Sequence, residues 1–297
     1  MIIRDVNSQP HFLASGRIEH IEAFPSKYIA GHTVDVWLPD NYSKERRYPV
    51  LYMQDGQMLF DSTVTWNKTE WQADEILGKL IKMGEIKECI LVAIWNSGAG
   101  RHSDYLPQKP FESLTENEQD SLYNSSRLGG ASVFNGQKIH SGNYLQFIVK
   151  ELKPYIDKSY STLRDKSTTF IGGSSMGALL SLYAICEYPR VFGGAICMST
   201  HWTGIFTLEH NPLPAAFFAY LRLHLPSAKD HKIYFDHGDK TLDAWYPSFQ
   251  KQADIIMKQK GYANGKNWLT LVFPGEDHSE RAWARRFAVP LKFLIGK

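Results

Sequence analysis

Thr168-Thr169-Phe170-Ile171-Gly172-Gly173-Ser174-Ser175-Met176-Gly177-Ala178-Leu179-Leu180 is the stretch that decides the fold. Its opening β-branched and aromatic residues predict a strand, and residues 178–187 predict a helix that stops before Pro189. Between them, Gly173-Ser174-Ser175-Met176-Gly177 matches G-x-S-x-G. The string alone is common, because Gly and Ser are abundant. Lying between a strand and a helix, it has the context that a nucleophile elbow requires. So tight a turn holds its central residue in a strained backbone conformation, and flanking glycines remove the Cβ atoms that would collide. Ser175 would then stand at a helix N-terminus. There the N–H of Met176 and the helix dipole favour negative charge developing on a substrate oxygen. The competing reading is a Gly/Ser-rich turn in which Ser174 or Ser175 is only an N-cap.

Outward from the elbow, short apolar runs alternate with amphipathic stretches, the pattern of an α/β fold with a mostly parallel central sheet flanked by helices. Strands are expected at 17–24, 32–38, 48–53, 89–95, 191–198, 232–236 and 268–273. Helices are expected at 71–83, 144–155, 248–260 and, as one closing helix, 281–295. Residues from about 97 to 142 are polar, rich in Gly, Ser and Asn, and show no period. A long irregular segment of this kind suggests either an excursion over the functional face or a surface insertion. Residues from about 202 to 228 could hold a small helical cap. No linker divides the 297 residues, so a single domain is expected.

Composition narrows the class. With 43% hydrophobic and 22% charged residues the chain is an ordinary globular one, and its net charge of +2 gives no footing for nucleic acid. The basic pairs Arg46-Arg47 and Arg285-Arg286 read as solvated faces. Cys89, Cys186 and Cys197 sit among apolar neighbours and read as buried hydrophobes, without metal or redox spacing. Neither a signal peptide nor a membrane-spanning run is visible, so a cytoplasmic protein is expected, or a secreted one if a leader has been trimmed.

A serine nucleophile needs a base, and the base needs an orienting acid. In the elbow fold they follow in the order Ser, acid, His. His278 lies in the loop between the last predicted strand and the last helix, and His237 and His201 are its rivals. The acid is expected in Asp236-His237-Gly238-Asp239-Lys240-Thr241-Leu242-Asp243, where Asp239 and Asp243 could both turn back to His278.

Four pieces in order carry a resemblance. They are Tyr48-Pro49-Val50-Leu51-Tyr52-Met53-Gln54-Asp55-Gly56-Gln57, the elbow from Gly173 to Gly177, Gly238 through Tyr246, and His278-Ser279-Glu280-Arg281-Ala282-Trp283. From about Val34 onward the chain resembles the putative-esterase family of α/β-hydrolases. That family includes carbohydrate esterase family one, enterochelin-esterase-like proteins and S-formylglutathione hydrolases. The resemblance implies the α/β-hydrolase fold and a serine carboxylic ester hydrolase, with Ser175 as nucleophile and His278 as base. It favours Asp243 over Asp239 as the acid, because an Asp followed shortly by Tyr matches Asp243-Ala244-Trp245-Tyr246. It implies an oxyanion hole from the backbone N–H groups of Gln57 and Met176, with Gln-Asp-Gly standing where many relatives have His-Gly. It implies acyl transfer through an acyl-enzyme, with no cofactor and no metal.

Arg101, Tyr105, His201, Trp202 and Trp245 fall on predicted loops near strand ends and are expected to contact substrate. The expected substrate is a small soluble ester or a carbohydrate-linked acetyl or feruloyl ester. An acyltransferase of the same family and a non-catalytic binding protein on the same fold are the alternatives.

Overall fold

The computed structural model describes residues 3–5, 13–127 and 129–297. Among these residues the strands, in chain order, are β1 (Ile3–Asp5), β2 (Arg17–Phe24), β3 (His32–Leu38), β4 (Val50–Gln54), β5 (Ile90–Ile94), β6 (Thr169–Ser174), β7 (Gly194–Met198), β8 (Lys232–His237) and β9 (Trp268–Val272). They form one sheet in the order β1-β2-β3-β5-β4-β6-β7-β8-β9. The first three strands, and the β3–β5 contact, are antiparallel; from β5 to β9 every pairing is parallel. This is the expected mostly parallel α/β sheet. β4 and β5 are buried along their whole length, as strands covered on both faces must be.

The helices are α1 (Ala73–Lys82), α2 (Arg101–Tyr105), α3 (Gln108–Glu112), α4 (Glu116–Tyr123), α5 (Ser141–Phe147), α6 (Lys153–Ser159), α7 (Met176–Glu187), α8 (Leu213–His224), α9 (Pro247–Gln259), α10 (Glu280–Arg286) and α11 (Ala288–Ile295). Side-chain alternation along the strands sends Leu51 and Met53 into a core shared with Leu77, Trp283 and Leu291 of α1, α10 and α11. Val50 and Tyr52 enter the other core, with Leu145, Leu180, Phe217 and Ile256 of α5, α7, α8 and α9.

Two expectations need correction. The closing helix is two helices, because Pro290 cannot continue the turns before it: its ring would meet the carbonyl of residue 286, where α10 ends. The stretch at 97–142 is not irregular but carries α2, α3 and α4. Its helices have five to eight residues, too few for a visible period, yet Tyr105, Leu106, Phe111, Leu122 and Phe134 are buried anchors. A local signal existed: Thr115 and Glu118 form a reciprocal capping box at the start of α4. In the 202–228 segment, α8 packs against α3, α7 and α9. Among the described residues no helix is long and apolar enough to cross a membrane.

Parallel strands point their carboxyl ends the same way, and in open α/β sheets that edge is where ligands are met. Asp55, Ser175, Ser199, Asp243 and His278 all lie in the connections that follow β4, β6, β7, β8 and β9 at this edge.

Candidate active site

The turn after β6 has the strained geometry that the sequence suggested. Ser175 adopts φ 55° and ψ −123°, a conformation an L-residue holds only when its surroundings impose it. Backbone bonds impose it here. The Ser175 N–H donates to the Met198 carbonyl at 2.9 Å, while its own carbonyl accepts from Leu179 at 3.1 Å and His201 at 3.2 Å. The flanking glycines are required by space rather than by φ. A Cβ on Gly177 would lie 2.9 Å from the Gln54 Cβ, and one on Gly173 would lie 3.0 Å from the Gly177 carbonyl carbon. Met176 is the first residue of α7, so its N–H has no acceptor within the helix.

Ser175, His278 and Asp243 come together in hydrogen-bonding order. The Ser175 hydroxyl is 2.8 Å from His278 Nε2, and His278 Nδ1 is 2.6 Å from Asp243 Oδ1. A neutral imidazole protonated on Nδ1 satisfies both contacts. His278 is fixed by its own N–H, which donates to Thr241 Oγ1 at 2.9 Å, and by the Trp283 ring, 5.0 Å away and edge-on. Asp243 Oδ2 accepts from the Gly238 N–H at 2.6 Å and from the Ser199 hydroxyl at 2.6 Å. Burial alone would raise the Asp243 pKa; the bonds from His278, Ser199 and Gly238 outweigh burial and lower it. Asp239, the alternative acid, stands elsewhere: its Oδ1 accepts from the Gly275 N–H at 2.9 Å and pairs with Lys240.

Beneath Asp243 lies a layer that the sequence did not reveal. The Ser199 hydroxyl accepts from Arg286 Nη2 at 2.7 Å and from Trp283 Nε1 at 3.0 Å. Arg286 also pairs with Asp236 at 3.1 Å. The solvated basic face expected for Arg285-Arg286 is therefore correct for Arg285, which is 58% exposed, and wrong for Arg286, which is 2% exposed. Adjacent helix positions face directions about 100° apart. Ala282, Trp283 and Arg286, spaced i, i+1 and i+4, share the buried side of α10. That spacing was the available signal.

The loop after β4 is also held by a charge pair. Asp55 sits at φ 57°, and the next residue must be glycine, since a Cβ on Gly56 would lie 2.5 Å from the Ala93 backbone. The Asp55 carboxylate accepts from Arg101 Nε at 2.6 Å, from Arg101 Nη2 at 2.8 Å and from Asn96 Nδ2 at 2.7 Å. Its N–H donates to the Tyr105 hydroxyl at 3.2 Å. Burial disfavours the Arg101 charge, and Asp55 more than offsets this, so the guanidinium stays protonated. The Gln57 side chain accepts from the Asn96 N–H at 3.0 Å. This loop abuts the elbow: a Cβ on Gly177 would lie 3.2 Å from Asp55 Oδ2.

The remaining residues expected to touch substrate divide. His201 is near His278, with ring centroids 6.4 Å apart, and its Nδ1 is 2.7 Å from the Tyr246 hydroxyl. Burial first, then His278 and Arg101, push its pKa down to about 3, so it is neutral at ordinary pH. Trp202, expected to contact substrate, is instead 1% exposed and packed among the tilted rings of Phe217, Phe218 and Phe235, with Nε1 bonded to Gln250 at 3.2 Å. The chain leaves β7 at Met198, and by Trp202, four residues on, it has turned this side chain back into the core. Trp245 is half-buried against the core, and Arg101 has two of its N–H groups taken up by Asp55.

The family described as "Putative esterase" matches residues 30–294. The uncharacterized protein YbbA of Bacillus subtilis is 24% identical over 279 residues, covering 92% of this chain and 96% of that protein. An endo-1,4-beta-xylanase/feruloyl esterase of Xylanibacter ruminicola is 26% identical over 189 residues, covering 60% of this chain and 21% of that much longer protein. Among solved structures, a ferulic acid esterase superposes with a TM-score of 0.63 at 17% identity, over 95% of this chain and 98% of its own, which shows a shared α/β-hydrolase fold.

Proposed function

We propose, for a chain that belongs to the putative-esterase family and is a carboxylic ester hydrolase, that Ser175, His278 and Asp243 carry the reaction as nucleophile, base and acid. The observation behind this reading is the unbroken hydrogen-bond line from Ser175 Oγ through His278 to Asp243, beginning at a residue strained to φ 55°.

In this reading Ser175 Oγ attacks the ester carbonyl as its proton passes to His278 Nε2. Asp243, kept ionised by its donors, stabilises the imidazolium and holds its Nδ1–H in place. The N–H groups of Met176 and Gln57 receive the oxyanion. Collapse of the tetrahedral intermediate breaks the bond to the alcohol, which leaves with the proton from His278. Water, deprotonated by the same imidazole, then releases the acid and restores Ser175. Arg101 acts through Asp55, as a positioning residue for the loop that carries Gln57.

For the substrate we propose a small or carbohydrate-linked ester, with acetyl and feruloyl groups as the first candidates. The relative described as a xylanase/feruloyl esterase supports that choice. The test is intact-mass analysis after fluorophosphonate treatment, with Ser175→Ala beside the wild type, followed by acetyl, butyryl and feruloyl esters. One adduct on the wild type, none on the variant, and loss of turnover in the variant are expected. An adduct on Ser175→Ala would remove Ser175 as nucleophile.

A further inference from the structure

Asp243 meets His278 through Oδ1, while its other oxygen, Oδ2, faces a buried cluster of donors. The Ser199 hydroxyl lies 2.6 Å from that Oδ2, 2.7 Å from Arg286 Nη2 and 3.0 Å from Trp283 Nε1. A guanidinium and an indole N–H can only donate. They occupy the acceptor side of the hydroxyl, so its one hydrogen is forced onto Asp243. Ser199 is fully buried and sits at φ 45°, a left-handed conformation that its surroundings must enforce. Its N–H donates to the Asp236 carbonyl at 2.9 Å.

Arg286 is not oriented as a guanidinium that only neutralises one carboxylate would be. Arg101 grips Asp55 with two nitrogens, the stronger arrangement. Arg286 reaches both Ser199 and Asp236 with Nη2 alone, and the same atom lies 3.7 Å from Asp243 Oδ2. Among the described residues its Nε and Nη1, both buried, have no hydrogen-bond partner, and the Phe273 ring lies 5.3 Å from the guanidinium carbon. Leaving two buried donors unpaired is unfavourable. Pairing with Asp236 does not account for that orientation, whereas the bond to Ser199 and the approach to Asp243 do. Asp236 and Asp243 are both fully buried, and without a cation one of them would take up a proton. Burial raises the Asp236 pKa against the pull of Arg286, so Asp236 is the one that would do so.

We propose that Arg286 is a positioning residue for ester hydrolysis: it fixes the Ser199 hydroxyl as a donor to Asp243 and draws on the charge of that carboxylate, and so sets how strongly Asp243 holds the imidazolium of His278. The proposal rests on the serine-esterase reading above and deepens it. Without the donors at Oδ2, more of the Asp243 charge falls on His278. The imidazolium then persists to higher pH, less of the free base is present, and the carboxylate is no longer held in line with the ring. Among the described residues, the other titratable rings beside His278 are His201 and Tyr246, both neutral and both left in place by the substitutions that follow.

Arg286→Met with Asp236→Asn in one chain removes the guanidinium without stranding a second buried carboxylate. On an activated ester kcat should fall about 10-fold at nearly constant KM, the size of a hydrogen bond to a charged group. The acid limb of kcat/KM should move to higher pH, which a loss of packing alone would not cause. Arg286→Lys, which keeps the charge and a donor, should recover part of both effects. Ser199→Ala is the milder variant, readable even where the double variant does not fold, and it should move the limb the same way by less. A limb that stays in place or moves to lower pH in the folded variants, whatever their kcat, overturns the proposal. Proton NMR reads the same property without turnover, from the far-downfield line of the His278 Nδ1–H. Its titration in Ser199→Ala should lie at higher pH than in the wild type, even where Ser175→Ala retains activity and the esterase reading fails. An unshifted titration counts against the role of Arg286 and Ser199.

Discussion

The strand-end residues and the 97–142 excursion converge on one edge of the sheet, held there by different forces. Ser175 is fixed by backbone: glycines packed to contact, main-chain bonds to Met198 and His201, and strand pairings on both sides of β6, while Asp243 is held by the Gly238 N–H together with the Ser199 hydroxyl. The excursion is fixed by side chains. Arg101 clasps Asp55, and Asp104 accepts from Ser97 and from His140 Nε2 at 2.8 Å, with His32 Nε2 at 3.5 Å. The Tyr144 hydroxyl, just beyond the excursion, donates to Gln54 at 2.7 Å. Backbone fixation resists sequence change, whereas side-chain fixation can be revised one residue at a time. In the proposed reading, the nucleophile thus sits on the part of the site that is hardest to vary.

The largest expected effect breaks the fixed side. Asp243→Asn should lower kcat by about 10⁴-fold, because the amide favours the wrong tautomer of His278. Asp239→Asn, altering a carboxylate that among the described residues bonds the Gly275 N–H and Lys240, should change it less than about 2-fold. Initial rates on one activated ester measure both, and comparable losses would mean that the acid is misassigned.

A smaller effect lies where the two regions meet. Arg101→Met frees Asp55 and the loop that presents Gln57. A fall in kcat of about 10²-fold at nearly constant KM is expected, the size of losing one oxyanion donor. A rise in KM at unchanged kcat would instead make Arg101 a substrate contact.

The smallest effect belongs to the excursion alone. His140 has its pKa raised, first by its bond to Asp104, and Asp104 is held down at about 2 because bonds from His140, His32 and Ser97 outweigh burial. The His140 contribution is complete below its unfolded value of about 6.5 and fades as pH rises through the higher folded one. The Asp104 contribution is complete above 3.8 and is lost as pH falls toward about 2. The excursion should therefore be tightest in mildly acidic solution. The pair is partly solvated, so its worth is no more than about 1 kcal/mol. Limited proteolysis of the 97–142 segment against pH should show cleavage increasing above neutrality in wild type and flat in His140→Asn.

What could be read from sequence follows the same division. The elbow was legible because strand, glycines and helix are contiguous, and His278 because it directly follows the last strand. The choice between Asp243 and Asp239 came from resemblance, since loop curvature is not encoded in spacing. Arg286 was hidden by Arg285 beside it, and Ser199 by being one hydroxyl among many. Trp202 misled because position after a strand says where a backbone goes and not which way an indole turns. The excursion hid its helices in segments shorter than a readable period.

The left-handed twist at Ser175 also bears on engineering. A residue kept at such angles costs about 1–3 kcal/mol relative to an unstrained turn. That cost cannot be removed by relaxing the turn without displacing the hydroxyl. Any effort to make this chain more heat-tolerant while it still turns over substrate has to leave residues 173–177 alone and gain its margin elsewhere, for instance on the solvent-facing sides of α1 and α9.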